Sequence, residues 1–210
     1  MLKTSTISLE NFFESAHKKT TITEDRKIVL SNIVAAIAQE YSKNETVNLN
    51  FICTHNSRRS QLGQVWSFFA ASYFNLNINA FSGGTEVTTF YKNTVKTLQK
   101  VGFEFQLRDF SHQNPTYQIS FNGTENRILG FSKLYSNPIN TEPFMAITTC
   151  NNADINCPFI PTASHRFHLP FVDPKHSDGT SSQEETYLQT SRQIASEVYF
   201  IFAEVKKSFK

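Results

Sequence analysis

No apolar run in this chain approaches the roughly 20 residues that a bilayer crossing needs. The N-terminus leads into a polar amphipathic segment, with no apolar stretch of the signal-peptide kind behind it. Neither a membrane protein nor a secreted one is expected, and the cytosol is the default location. An excess of one charge is also lacking. The formal net charge of +2 is too small to draw the chain to a nucleic acid or a membrane surface. Its lysines are scattered, not interleaved with aromatics as in a nucleic-acid groove. Cysteine is scarce, three in 210 residues, and an odd number in a cytosolic chain points to chemistry and away from a disulfide framework. Internal repeats and low-complexity tracts are missing too. Hydrophobic and charged contents of 39% and 18% are those of a folded globular protein. The length allows one large domain, or a domain with an appended helical piece. The 20 phenylalanines are spread along the chain as core fillers.

What is present is concentrated in one stretch, Phe51-Ile52-Cys53-Thr54-His55-Asn56-Ser57-Arg58-Arg59-Ser60. A short apolar run with alternating asparagines delivers Cys53 to a tight polar loop, and an amphipathic helical pattern follows at once. Strand, loop and helix N-terminus in that order make a seat for an anion, because loop N–H groups converge there and the helix dipole adds positive potential. The same fields favour a thiolate at Cys53. Arg59 can hold two oxygens of a tetrahedral oxyanion bidentately, which a lysine could not do. Ser60, at the helix start, can donate its hydroxyl to the thiolate while serving as an ordinary helix cap. Asn56 can brace the loop from within, and Thr54, His55, Ser57 and Arg58 complete it. Nothing in the chemistry asks for Arg58, so a solvated charge is expected there. The plainer alternative is a buried cysteine ending a strand, beside an arginine that faces water.

Along the chain, residues 7–17 and 22–41 read as two helices, the second capped by Thr23. They form an N-terminal helical extension over residues 1–45, either packed on the core or available for oligomerisation. Residues 47–51 are predicted as a strand, 61–73 as a helix, 77–81 as a strand and 89–101 as a helix ended by Gly102. This β-α-β-α alternation argues a parallel, doubly wound sheet. In such sheets the ligand lies beyond the carboxyl ends of the strands, where Cys53 falls. Residues 117–121 and 127–135 read as strands joined through Asn122-Gly123, a hairpin signal. A strand over 144–149 ends at Cys150. A polar, asparagine-rich segment able to loop out leads to Cys157-Pro158. A last strand is predicted at 167–171, running into Asp173-Pro174, and a long helix at 182–207.

The Cys-x5-Arg-Ser pattern directly after a strand resembles the low-molecular-weight protein tyrosine phosphatase superfamily. In the form Cys53-Thr54-x-Asn56-Ser57-x-Arg59-Ser60-Gln61 it looks most like the thioredoxin-coupled arsenate reductases. The resemblance covers residues 46–210 as the catalytic domain. It implies an α/β fold: a doubly wound, mainly parallel four-stranded sheet flanked by helices. The family usually has a shorter connection over about 111–142, so the hairpin reads as an insertion that lengthens a sheet edge or covers the site. Asp173 before Pro174 matches the superfamily's general acid, which protonates the departing oxygen. Cys150 and Cys157-Pro158 match the reductases' Cys-x6-Cys-Pro segment, so all three cysteines fall on redox positions.

The implied reaction starts with Cys53 attacking arsenate. Cys150 then displaces arsenite to leave a Cys53–Cys150 disulfide, and Cys157 passes the oxidation to a Cys150–Cys157 disulfide that thioredoxin reduces. No bound cofactor and no metal are implied; the partners are an arsenate or phosphate oxyanion and thioredoxin. Gln64 stands where many relatives place a glutamate of a potassium site, which weakens the expectation of potassium activation. Three other readings stand beside this one. A phosphatase would work through a phosphocysteine at Cys53. Lys175 and His176 supply no aromatic wall for a phosphotyrosine, though Tyr117, Phe121 and Phe131 of the hairpin offer other aromatics. Cys150, Cys157, His165 and His168 are a candidate zinc set. A non-catalytic oxyanion-binding or redox-sensing module would keep the loop alone.

Overall fold

The computed structural model describes residues 8–156 and 159–209. Two helices come first, α1 (Leu9–Lys19) and α2 (Glu24–Asn44), then β1 (Val47–Cys53), α3 (Arg59–Tyr73), β2 (Ile78–Gly84) and α4 (Lys92–Lys100). Next come β3 (Phe103–Asp109), β4 (Thr116–Phe121), β5 (Ile128–Gly130), β6 (Phe144–Thr148), the short α5 (Asn151–Asn156), β7 (Ala163–His168) and α6 (Gln183–Lys207). A single 3-10 turn, Pro174–Ser177, lies between β7 and α6. Four strands form a sheet in the order β2-β1-β6-β7, and every pair in it is parallel. The fold expected from the sequence is the one observed. Among the described residues no helix is long and apolar enough to cross a membrane.

The alternation in β1 explains how this sheet is covered. Val47, Leu49 and Phe51, with Met145 and Ile147 of β6, enter the main core beside α1, α2, α3 and α6. Ile52 faces the other way, into a smaller cluster with Phe144, Ala146, Cys150, Ala153 and Ile160. Asn48 and Asn50 share that second face, where they donate to the Pro143 and Tyr135 carbonyls. Helix α3 lies close on β1 at Gly63, where a Cβ would sit 2.5 Å from the Phe51 ring.

Three boundaries differ from the sequence reading, each for a physical reason. The hairpin exists, but β5 is only three residues long, and β3 joins β4 and β5 in a separate antiparallel sheet ordered β3-β4-β5. Phe103, Ile119 and Phe121 anchor that sheet in the main core. The final strand runs over Ala163–His168 and not 167–171; the apolar Leu169 and Phe171 instead send their N–H groups to the Thr148 and Thr149 carbonyls beyond the strand end. The polar segment after Cys150 is helical, because the Ala153 N–H reaches the Cys150 sulfur and the Asp154 N–H the Cys150 carbonyl.

Helix α1 is fixed by aromatics. Phe12 and Phe13 stack on Trp66 at 5.5 and 5.6 Å, and Phe13 meets Phe69 edge-on at 5.2 Å. The Trp66 indole N–H donates to Ser191 of α6 at 3.0 Å, which holds the ring that receives them. Phe13 is fully buried. Phe13→Ala is expected to lower the unfolding free energy by about 3–5 kcal/mol in a urea titration. A loss below about 1 kcal/mol would mean that α1 is only a loose cover on the core.

Candidate active site

Strand β1 ends at Cys53, beside Gly84 of β2 in parallel register, and the chain turns through residues 54–58 into α3. Asn56 has a left-handed backbone, φ 46°, a conformation that asparagine tolerates better than most residues. Its Nδ2 donates to Ser60 Oγ at 2.9 Å, and Ser60 Oγ lies 3.1 Å from Cys53 Sγ. With that lone pair occupied, the Ser60 hydroxyl proton is free to point at the sulfur. Asn56 Oδ1 accepts from the Lys133 N–H at 2.9 Å and from Gln61 Nε2 at 3.2 Å. The loop also presses on β2: a Cβ at Gly84 would sit 2.7 Å from the Thr54 carbonyl and 2.9 Å from the Asn56 nitrogen. Only glycine fits there.

Residues 131–135 form the back wall of the loop. Phe131 O accepts from Gln61 Nε2, and the Ser132 hydroxyl donates to the His55 carbonyl, both at 2.8 Å. Gly84 N–H donates to Lys133 O and Tyr135 N–H to Gly84 O. This segment thus buttresses the loop from behind. Its aromatics also turn inward: Phe121 packs on Phe69 and Phe68, and Tyr117 on Phe105 and Phe90. Phe131 lies against the Lys133 ammonium, 4.9 Å away. Gln64 accepts from Ser82 Oγ at 2.6 Å and donates to Leu129 O.

Arg59 is turned toward the segment that follows β7. Its Nη2 donates to Asp173 Oδ2 at 2.6 Å and its Nη1 to the Phe171 carbonyl at 3.0 Å. Its Nε is buried without a hydrogen-bond partner among the described residues, so one donor is left for a ligand. A cavity of about 570 Å³ opens between Thr54, Arg59, Cys150, Asn151, Asn152 and Asp173. Cys150 Sγ lies 3.5 Å from Thr54 Oγ1, and both Cys53 and Cys150 are free and buried. Cys157, the third predicted thiol, lies outside the described residues.

Two expectations need correcting or completing. Arg58 is not a solvated charge. It is buried, donates from Nε to Tyr187 Oη at 2.8 Å and from Nη2 to Asp178 at 3.1 Å, and lies 4.0 Å over the Tyr91 ring. Its hydrogen-bond partners Asp178 and Tyr187 stand more than a hundred residues away, so no local pattern announces them. The candidate zinc set is not assembled by its histidines. His165 turns toward Glu40, whereas His168 bonds Thr148 and Asn151. Among the described residues no three His, Cys, Asp or Glu side chains meet as a metal site would require.

A sheet strand that ends in a cysteine, followed by an arginine-bearing anion loop and a helix N-terminus, is the architecture of the low-molecular-weight protein tyrosine phosphatases and their kin. No family model matches the chain, but individual proteins do. It is 30% identical over 124 residues to an arsenate reductase of Brevibacillus brevis, an alignment covering 59% of this chain and 74% of that one. It is 27% identical over 157 residues to an arsenate reductase of Bacillus subtilis, covering 75% of this chain and 95% of its relative. Its fold matches the arginine phosphatase YwlE with a TM-score of 0.53 at 16% identity, over 77% of this chain and 97% of that one. The chain belongs to the family of these arsenate reductases, and it is an enzyme.

The buttress contains a buried cation. Among the described residues Lys133 Nζ approaches the Ser82 hydroxyl, at 3.5 Å, and the Phe131 ring, and burial pushes its pKa down to about 7. The unfolded lysine binds its proton near pH 10.4. Between about pH 7 and 10 the unfolded chain therefore holds more protons at this position, and stability rises with pH there, by at most about 1.4 kcal/mol per pH unit. Unfolding titrations of the wild type and Lys133→Met across that window are expected to diverge, the variant lacking this rise. Parallel curves would mean that Lys133 keeps its proton throughout.

Proposed function

We propose that the protein reduces arsenate to arsenite through a relay of its three thiols, with Cys53 as nucleophile, Arg59 and the loop N–H groups as the oxyanion cradle, and Asp173 as proton donor. The observation that carries this reading is the position of Cys150. Its thiol stands beside the loop that presents Cys53, within 3.5 Å of the Thr54 hydroxyl. A phosphatase has no use for a second thiol there. The identity to arsenate reductases supports the same reading.

The steps balance as follows. The Cys53 sulfur attacks arsenic, and an oxygen of arsenate leaves as water after taking a proton from Asp173. Arg59, whose planar fork suits two oxygens, holds the thioarsenate ester. The Cys150 thiolate attacks the Cys53 sulfur, and the electron pair of the S–As bond passes to arsenic, which departs as arsenite. The Cys53–Cys150 disulfide is then attacked at Cys150 by Cys157, which frees Cys53. An external dithiol of the thioredoxin class reduces the Cys150–Cys157 disulfide. The substrate is a small inorganic oxyanion: Tyr117 and Phe121 of the hairpin pack into the core, and Phe131 lies against Lys133.

With thioredoxin, thioredoxin reductase and NADPH supplied, NADPH consumption is expected to depend on arsenate. Cys150→Ser is expected to abolish that consumption while retaining hydrolysis of an aryl phosphate. An arsenate-independent background together with brisk aryl phosphate hydrolysis would reassign the protein as a phosphatase. Equal loss of both activities in Cys150→Ser would count against the relay.

A further inference from the structure

The short turn that begins at Asp173 is held at both ends by neighbouring arginines of the oxyanion loop. Asp173 caps it and bonds Arg59. Asp178 closes it, sending its N–H to the Lys175 carbonyl, and its carboxylate meets Arg58 at 3.1 Å and the Tyr187 hydroxyl at 2.8 Å. Tyr187 also accepts from Arg58 Nε, so guanidinium, phenol and carboxylate form a closed triangle. The Arg58 guanidinium rests on the Tyr91 ring, and the Tyr91 N–H bonds the Ser57 carbonyl at 3.1 Å. Burial disfavours the Asp178 carboxylate, but the Tyr187 and Tyr91 hydroxyls and the Arg58 charge outweigh it and hold the carboxyl below its usual range.

The two arginines have different prospects when an oxyanion arrives. Arg59 needs its N–H groups for the ligand, and the bond to Asp173 competes with that use. Arg58 faces away from the cavity and has all its partners within the protein. We propose that Arg58, through Asp178 and Tyr187, is a positioning device that keeps the acid turn docked on the loop when Arg59 turns from Asp173 to the oxyanion. The inference rests on the reading of Asp173 as proton donor, and it concerns the oxygen that leaves, whether from arsenate or from a phosphate ester.

The test compares wild type, Asp173→Asn, Asp178→Asn and Tyr187→Phe. For each, kcat and KM are measured with arsenate in the thioredoxin-coupled assay and with phenyl phosphate, whose leaving group needs a proton, and sulfate affinity is measured by calorimetry. Asp178→Asn is expected to lower kcat about tenfold or more while sulfate affinity stays within about twofold. Tyr187→Phe, which preserves the ring stacking and the Arg58–Asp178 pair, is expected to do the same more weakly, and it keeps the test alive should Asp178→Asn fail to fold. A parallel fall of kcat and sulfate affinity would make the triangle a brace of the loop alone and overturn the proposal, as would an unchanged kcat. If Asp173→Asn leaves kcat intact on both substrates, the proton donor assignment falls and the clamp falls with it. If the wild type turns over phenyl phosphate but not arsenate, the arsenate reading fails by itself and the clamp is judged on the ester.

Discussion

The buried side chain of Asn56 is the contact on which the site depends. One amide group meets the serine that faces Cys53, the helix that follows the loop and the wall behind it. Because the residue is buried and its φ is positive, the loop cannot relax by letting this side chain turn to solvent. The converging N–H groups of an anion seat repel one another when empty, so a loop of this kind has to be held in shape from outside its own backbone. Asn56 supplies that hold. Gly84 allows it, by letting β2 come close enough for the Thr54 and Glu86 backbone groups to meet.

The inserted segment acquires its meaning from the same contact. Residues 131–135 pass along the β2 edge of the parallel sheet, where Leu134 bridges Gly84, and their backbone completes hydrogen bonds with Asn50, Gly84 and the loop. The polar letters that alternate in β1 are therefore a record of a neighbour that is itself irregular backbone and needs donors. A helix laid there would have satisfied its own backbone and asked for apolar residues in the strand.

How much of this was legible follows from the distance between partners along the chain. Cys53, Arg59 and Ser60 declared themselves because an anion loop is contiguous: strand, turn and helix start lie within a dozen residues, and the chemistry dictates each residue type. That the strands run parallel was readable from the alternation of strand and helix. Arg58 was misread because an arginine in a polar loop is ordinarily solvated, and its partners Asp178 and Tyr187 lie 120 and 129 residues downstream. Strand β3 was missed because its outer half, from Leu107 to Asp109, is exposed, so only Phe103 and Phe105 carry a burial signal. Helix α5 was missed because asparagines favour turns, and its first turn is secured by a cysteine sulfur and by Asp154, bonded to Thr148 and Arg166 from neighbouring strands.

Two buried cations flank the oxyanion loop, Arg58 on the acid side and Lys133 behind, and neither is an economical way to stabilise a fold. Apolar residues of similar volume usually match or better a buried ion pair in stability, and among the described residues no carboxylate offsets the burial of Lys133. What a charge does here that a leucine cannot is set direction. A guanidinium with a phenol and a carboxylate in fixed geometry fixes the angle between α6, the acid turn and the loop, whereas an apolar contact would let them slide. Stability surrendered at position 58 therefore returns as geometry, in the fixed approach of the turn between Asp173 and Asp178 to the loop that follows Cys53.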